Sequence, residues 1–184
     1  VRKITIDIET SGTEYGCFIY QIAALVWDEN GIIADFEGRM MPTEKIGYDF
    51  NKKTMSWWMN QPKEVYFYVT GGKESVHKVL TDFRYFLYEN IDEDTAIWTH
   101  AAFDIPILKY FYKMHGMWLN IPTFAQYDIR TIQMLYDSDR KIVNGIKKKI
   151  KGLHDAKSDC EYHMKYVNKL IYNNEKTDKD DPSW

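Results

Sequence analysis

Five residues of this chain carry side chains that could do chemistry together: Asp7, Glu9, Asp104, His154 and Asp159. Asp7 and Glu9 stand two apart in KITIDIET, where Ile4, Ile6 and Ile8 alternate with them. Period two is a strand signal, so the two carboxylates leave one face, roughly 6–7 Å apart. Like charges at that range cost stability unless a cation lies beside them. A D-x-E on an edge strand is merely a solvated face. This one lies in an apolar segment suited to a sheet centre and ends in Thr10, Ser11 and Gly12. Those small residues leave room for a ligand, here substrate, at the strand's carboxyl end. Asp104 follows WTHAAF at the start of a helical pattern, where an isolated Asp would be an N-cap. Asp159 lies one turn into the last helical pattern, beside its apolar stripe, and His154 stands at that helix's entrance. Each alone reads as a solvated or capping residue. Together they are oxygen ligands without a Cys/His cluster, which suits Mg²⁺ or Mn²⁺ rather than zinc. Carboxylates around two such ions hydrolyse phosphodiesters.

The elements that must position these groups follow from patterning. Asp28-Glu29-Asn30-Gly31 is a turn signal between apolar runs, so residues 18–40 read as a hairpin. With the first strand this gives three antiparallel strands. Asn51 can cap a short helix through Met59 that turns Met55 and Trp58 inward, and a second short helix follows Pro62. Ser75 to Tyr88 has helical spacing of Val76, Val79, Leu80, Phe83 and Leu87. Strands over 95–99 and 125–128 alternate with helices over 105–115, 129–136 and about 155–171. Residues 139–151 read as a basic loop. The expected fold is α/β: a mixed five-stranded sheet flanked by helices. It occupies residues 1–172 as one domain, and 173–184 form a polar, fraying tail.

The 184 residues are 45% hydrophobic and 28% charged, the balance of a globular chain. A net charge of −3 argues against a protein that coats nucleic acid through general basicity. No apolar run is long enough to span a membrane, so no membrane partner is expected. The chain opens on a strand pattern instead of a signal-peptide pattern, and two cysteines make no disulfide framework; the expected compartment is the cytoplasm. Cys160 sits on the apolar stripe of the last helix and reads as core. Arg140, Lys141, Lys147, Lys148, Lys149 and Lys151 crowd the approach to His154. That run is either a solvated face or a steering surface for phosphates, with Lys147, Lys148 and Lys149 as its substrate contacts. Trp57 and Trp58 point about 100° apart in a helix, so one packs and Trp57 is the candidate for base stacking. Tyr15, Phe18 and Phe103 are further stacking candidates, Phe103 with the stronger claim to be core.

Asp7-Ile8-Glu9-Thr10, Phe103-Asp104 and His154-x4-Asp159 resemble, in order and spacing, the three motifs of the DEDDh 3′–5′ exonucleases. These are an arm of the ribonuclease-H-like superfamily, and the resemblance covers about residues 3–172. TMSWWMNQ at 54–61 and DIRT at 128–131 are similar to segments of a small stand-alone subgroup. That subgroup includes exonuclease A of T-even phages and a mycobacterial exoribonuclease; oligoribonuclease and ribonuclease T resemble the chain more distantly. The resemblance implies that Asp7, Glu9, Asp104 and Asp159 hold two divalent cations, with Asp7 bridging them and Glu9 near the terminal 3′-hydroxyl. His154 becomes the general base for the attacking water. Asp128 and His100 would support the ligands from behind. His100 stands where many relatives carry Asn, and Cys160 where they carry Ala. The implied substrate is a single strand with a free 3′-hydroxyl, cut to nucleoside 5′-monophosphates. The phage-like segments lean it to DNA, with an exoribonuclease as the alternative and a nucleic-acid-binding scaffold as the non-enzymatic one. A homodimer is compatible with the exposed aromatics.

Overall fold

A computed structural model describes residues 1–42, 46–147 and 154–179, of which 172–179 as backbone only. Strand β1 (Lys3–Thr10) is the middle of a five-stranded sheet, between β2 (Ile19–Asp28) and β4 (Ala96–Thr99). β3 (Gly31–Arg39) and β5 (Gln126–Asp128) form the edges, in the order β3-β2-β1-β4-β5. β1, β2 and β3 are antiparallel, as the hairpin reading requires, whereas β4 runs parallel to β1 and β5 parallel to β4. At the β2–β3 turn Asp28 accepts the Asn30 N–H at 2.8 Å, and Gly31 takes a φ of +130° that a side chain would resist. The carboxyl ends of β1, β4 and β5 therefore share one edge of the sheet. That edge is where α/β enzymes keep their sites.

The alternation in β1 assigns its two faces. Ile4, Ile6 and Ile8 pack with Ile22, Ala24 and Val26 against α3 (Val76–Asn90) and α4 (Asp104–Met114). Burying each such side chain contributes about 1.5–3 kcal/mol. The helices α1 (Lys52–Met59) and α2 (Lys63–Thr70) add Trp58 and Val69 to this layer. Asn51 caps α1 through bonds from the Lys53 and Thr54 N–H groups. On the other face Ala23, Leu25, Trp27 and Trp98 lie under α5 (Ile129–Tyr136), α6 (Lys141–Lys147) and α7 (Ala156–Lys179). Cys160 is fully buried there, its Sγ 3.4 Å from the Ala23 carbonyl oxygen, so its reading as core holds.

One expectation is corrected. Residues 139–151 are not simply loop, because Lys141–Lys147 is the helix α6. Its start is held by Asp137, whose buried carboxylate accepts from the Ile142 and Val143 N–H groups at 2.9 and 2.8 Å. The Tyr166 hydroxyl donates to the same carboxylate at 3.0 Å, which ties α6 to α7. Lys148, Lys149 and Lys151 lie outside the described residues. α7 continues past residue 172 to Lys179. Among the described residues no helix is long and apolar enough to cross a membrane.

Candidate active site

The three motifs meet at the carboxyl end of β1. Asp7, Glu9 and Asp159 each bring a carboxylate oxygen to within 4.8 Å of the others. β1 sets the first two, and α7 sets Asp159, because the Thr5 hydroxyl donates to the Cys160 carbonyl and fixes the helix over the strand. Gln21 fastens the start of α7: it accepts from the Ala156 N–H at 3.0 Å and donates to Asp155 at 3.2 Å. Asp104 is 1% exposed in the first turn of α4, and its carboxylate accepts from the Thr99 hydroxyl and, at 2.9 Å, from the His100 N–H. It is thus not an N-cap of the helix it begins. Its charge still reaches the cluster.

The electrostatics are those of crowded, desolvated acids. Burial, then the charge of Asp104, pushes the Asp7 carboxyl well above the usual range. Burial does the same to Glu9, with Asp159 adding to it. Burial raises Asp104 to about 7 and Asp159 to about 6, although hydrogen bonds from Thr99 and His154 oppose it. Such a cluster prefers either protons or cations between its oxygens. Oxygen donors in this number are the set that hard divalent ions take.

His154 precedes α7 with a φ of 75°, a left-handed conformation that costs a non-glycine residue free energy. Its N–H donates to Asp159 at 3.0 Å, and its ring meets that of Trp57 edge-on at 4.9 Å. Desolvation, then Lys147, lowers the imidazole pKa, so it is neutral at pH 7 and able to accept a proton.

Two clefts flank the carboxylates. One, of about 650 Å³, is lined by Asp7, His154 and Asp159 together with Arg130, Arg140 and Lys147. The other, of about 460 Å³, is lined by Glu9, Thr10, Gly12, Trp57 and Phe103. Trp57 is the exposed member of the tryptophan pair, whereas Trp58 is buried and donates its indole N–H to the Thr10 carbonyl at 2.9 Å. Gly12 is required by close approach: a Cβ there would meet the Cys17 and Asn51 Cβ atoms at 3.1 and 3.3 Å.

Several expected contacts are placed differently. Ser11 is fully buried, its hydroxyl donating to the Asp49 carbonyl and accepting from the Phe18 N–H, so it holds the turn and does not face the cleft. Phe18 is also fully buried, packed edge-on against Tyr20, Tyr48 and Phe111; it cannot stack on a base. Phe103 is half-buried against the first core, and Tyr15 is exposed but stacked on Tyr110, lining another cleft with Trp118. Asp128 caps α5 by accepting from the Arg130 N–H at 2.7 Å. His100 lines the first cleft together with Asp7, its ring 4.9 Å from that of His163. The sequence reading missed His163. It lies one helical turn after Asp159, and that spacing was the available signal.

The chain matches the family described as 3′-5′ exoribonuclease Rv2179c-like domain over residues 2–171. No curated protein matches it. Among solved structures it is similar to exonuclease I, with a TM-score of 0.69 at 14% identity over 94% of this chain and 41% of that one. E. coli exonuclease I in complex with a dT13 oligonucleotide gives a TM-score of 0.64 at 15% identity, over 97% and 43% of the two chains. The nuclease domain of 3′hExo, a DEDDh family member bound to rAMP, also gives 0.64, at 12% identity over 94% and 92%. The chain thus spans about two-fifths of exonuclease I but nearly all of the 3′hExo nuclease domain. At these identities the likeness is one of fold, and that fold is the ribonuclease-H-like one expected from the motifs.

Proposed function

Because this chain belongs to the Rv2179c-like 3′-5′ exoribonuclease family, we propose that it hydrolyses single-stranded nucleic acid from a free 3′-hydroxyl, releasing nucleoside 5′-monophosphates. The observation that carries this reading is the convergence of Asp7, Glu9 and Asp159 beside His154, whose N–H is tied to Asp159. The proposal includes two divalent cations, Mg²⁺ or Mn²⁺, held by Asp7, Glu9, Asp104 and Asp159. Four desolvated carboxylates fit that load, since cations would relieve the repulsion that raises their pKa values. When bound, such ions supply charge stabilisation at the phosphoryl group and its leaving oxygen.

The chain's own residues supply the rest. The neutral His154 imidazole takes the proton of the attacking water, work typically worth 10²–10⁴-fold. The Asp159 carboxylate accepts the His154 N–H and so holds the residue at the mouth of the site. Arg130, Arg140 and Lys147 line the larger cleft with the acids and attract the phosphates that the carboxylates repel. Trp57 offers an exposed face for the terminal base, with Thr10 and Gly12 lining the floor beside Glu9. Residues 1–172 hold all of these groups and form the catalytic domain.

RNA is the preferred substrate in this proposal, on the family's description; DNA, favoured by the phage-like segments, is the second reading. The buried, unpaired Cys17 and Cys160 suit a reducing compartment such as the cytoplasm. Matched 5′-labelled ribo- and deoxyribo-oligomers, with the 3′ end free or phosphate-blocked, test the activity. A ladder shortening from the 3′ end and stopped by the block is expected, with kcat/KM higher on the ribo-oligomer. Cutting of a circular strand would overturn the exonuclease reading, and light scattering in the same buffer decides between monomer and homodimer.

A further inference from the structure

Beside the carboxylates one buried nitrogen has no partner. His163 is 3% exposed, its Nδ1 makes no hydrogen bond, and that atom lies 3.9 Å from Asp7 Oδ1. A hydrogen bond needs about 2.7–3.2 Å. Two ligand bonds of about 2.0–2.1 Å at a tetrahedral angle span roughly 3.4 Å, so the pair is too far apart to share a proton and within about half an ångström of holding one ion. The half-buried His100 brings its ring to 4.9 Å from that of His163 at 76°. One nitrogen of each ring and one Asp7 oxygen all lie within 4.8 Å of one another. This trio shares only Asp7 with the carboxylate trio of Asp7, Glu9 and Asp159.

We propose that Asp7, His100 and His163 form a second, nitrogen-rich cation site that takes a divalent transition ion of the zinc or cobalt kind and excludes Mg²⁺. Imidazole suits such ions, whereas Mg²⁺ keeps oxygen ligands and several of its waters. α7 carries Asp159 and His163 one turn apart, so a single helix presents an oxygen donor to one trio and a nitrogen donor to the other. Because Asp7 serves both trios, the histidine pair decides which ion stays on Asp7 when several are offered. This stands apart from the exonuclease reading: it concerns the ion that Asp7 holds, whatever the chain hydrolyses.

The test uses the full chain stripped with chelator, with Zn²⁺, Co²⁺ and Mg²⁺ as the probes. X-ray absorption of the protein loaded with one equivalent of Zn²⁺ should show imidazole scattering, and Co²⁺ should bind with visible d–d bands. In calorimetry, His163→Gln and His100→Asn should each weaken Zn²⁺ binding at least tenfold while Mg²⁺ binding stays within about twofold. Circular dichroism checks the fold of the buried His163 variant, and His100→Asn, at the half-buried ring, carries the test if that variant unfolds. Oxygen-only scattering around Zn²⁺, or Zn²⁺ affinity unchanged in a folded variant, would overturn the site. A chain that binds Zn²⁺ in this way but degrades no oligomer would retain this inference and sink the exonuclease reading.

Discussion

Ile4, Ile6 and Ile8 on one face of β1 alternate with Thr5, Asp7 and Glu9 on the other, yet the two sets live under opposite physics. The isoleucines enter a layer of buried apolar side chains from α3 and α4. Thr5 and Asp7 are as deeply covered, 0% and 8% exposed, but beneath α7, where four further carboxylates, Glu9, Asp104, Asp155 and Asp159, act on Asp7. One face contributes stability and the other consumes it. The same strand backbone, held between β2 and β4, keeps both rigid. A site of repelling charges can be this dry only because its neighbouring face is uniformly apolar and pinned on both edges.

His154→Ala should have the largest effect, a fall of roughly 10²–10⁴-fold in kcat with the melting temperature nearly unchanged. Single-turnover rates beside a thermal melt check it; near-wild-type turnover would remove His154 as the base. The comparison between the faces is sharpest in the pair Ile6→Ala and Asp7→Asn. In chelator, Ile6→Ala should lose about 2–5 kcal/mol, the cost of a cavity in a packed core. Asp7→Asn should gain stability in the same buffer, because it removes an ionisable group from a desolvated acidic cluster, while weakening cation binding. Denaturant melts of the two variants read the sign directly, and equal losses would show that both faces are ordinary core.

A pH series breaks or sharpens the same contrast. In the folded protein Asp104 titrates near 7 and Asp159 near 6, both raised from 3.8. The folded form therefore binds more protons than the unfolded one across that interval, and stability falls as pH rises from about 4 to 7. The metal-free melting temperature should drop over that window, by roughly 2–4 °C for each kcal/mol lost in a chain of this size. Millimolar Mn²⁺ should flatten the drop, since an ion bound only to the folded state adds stability by linkage. A metal-free profile that is flat or rises would contradict the repulsive cluster. The smallest effect is expected at the rim of the larger cleft. Arg140→Glu with Lys147→Glu should raise KM several-fold for a 10-mer and little for a dinucleotide, with a shallower salt dependence. Equal effects on both lengths would leave those residues as a solvated face.

Much of this was legible in the chain because its signals are local. The alternation of β1, the DENG turn, the Asn51 cap and the helical spacing of α3 each involve residues within one or two turns of each other. Those patterns alone determined an antiparallel start to a mixed sheet, and motif spacing brought four carboxylates and a histidine to one edge. What tertiary structure decided depends on residues far apart in sequence. α6 forms because Asp137 lies just outside its basic segment and is itself clamped by Tyr166 of α7, 29 residues on. Ser11 and Phe18 became structural because Asp49 and Phe111 close over them from other elements. His163 shares a helix face with Asp159 by spacing alone, but only the rotation of α7 over β1, fixed where Thr5 meets Cys160, aims its nitrogen at Asp7. Local periodicity sets which side of an element a residue occupies. The depth of burial and the identity of the neighbour are set by how elements rotate against one another, and that rotation is a property of the packed whole.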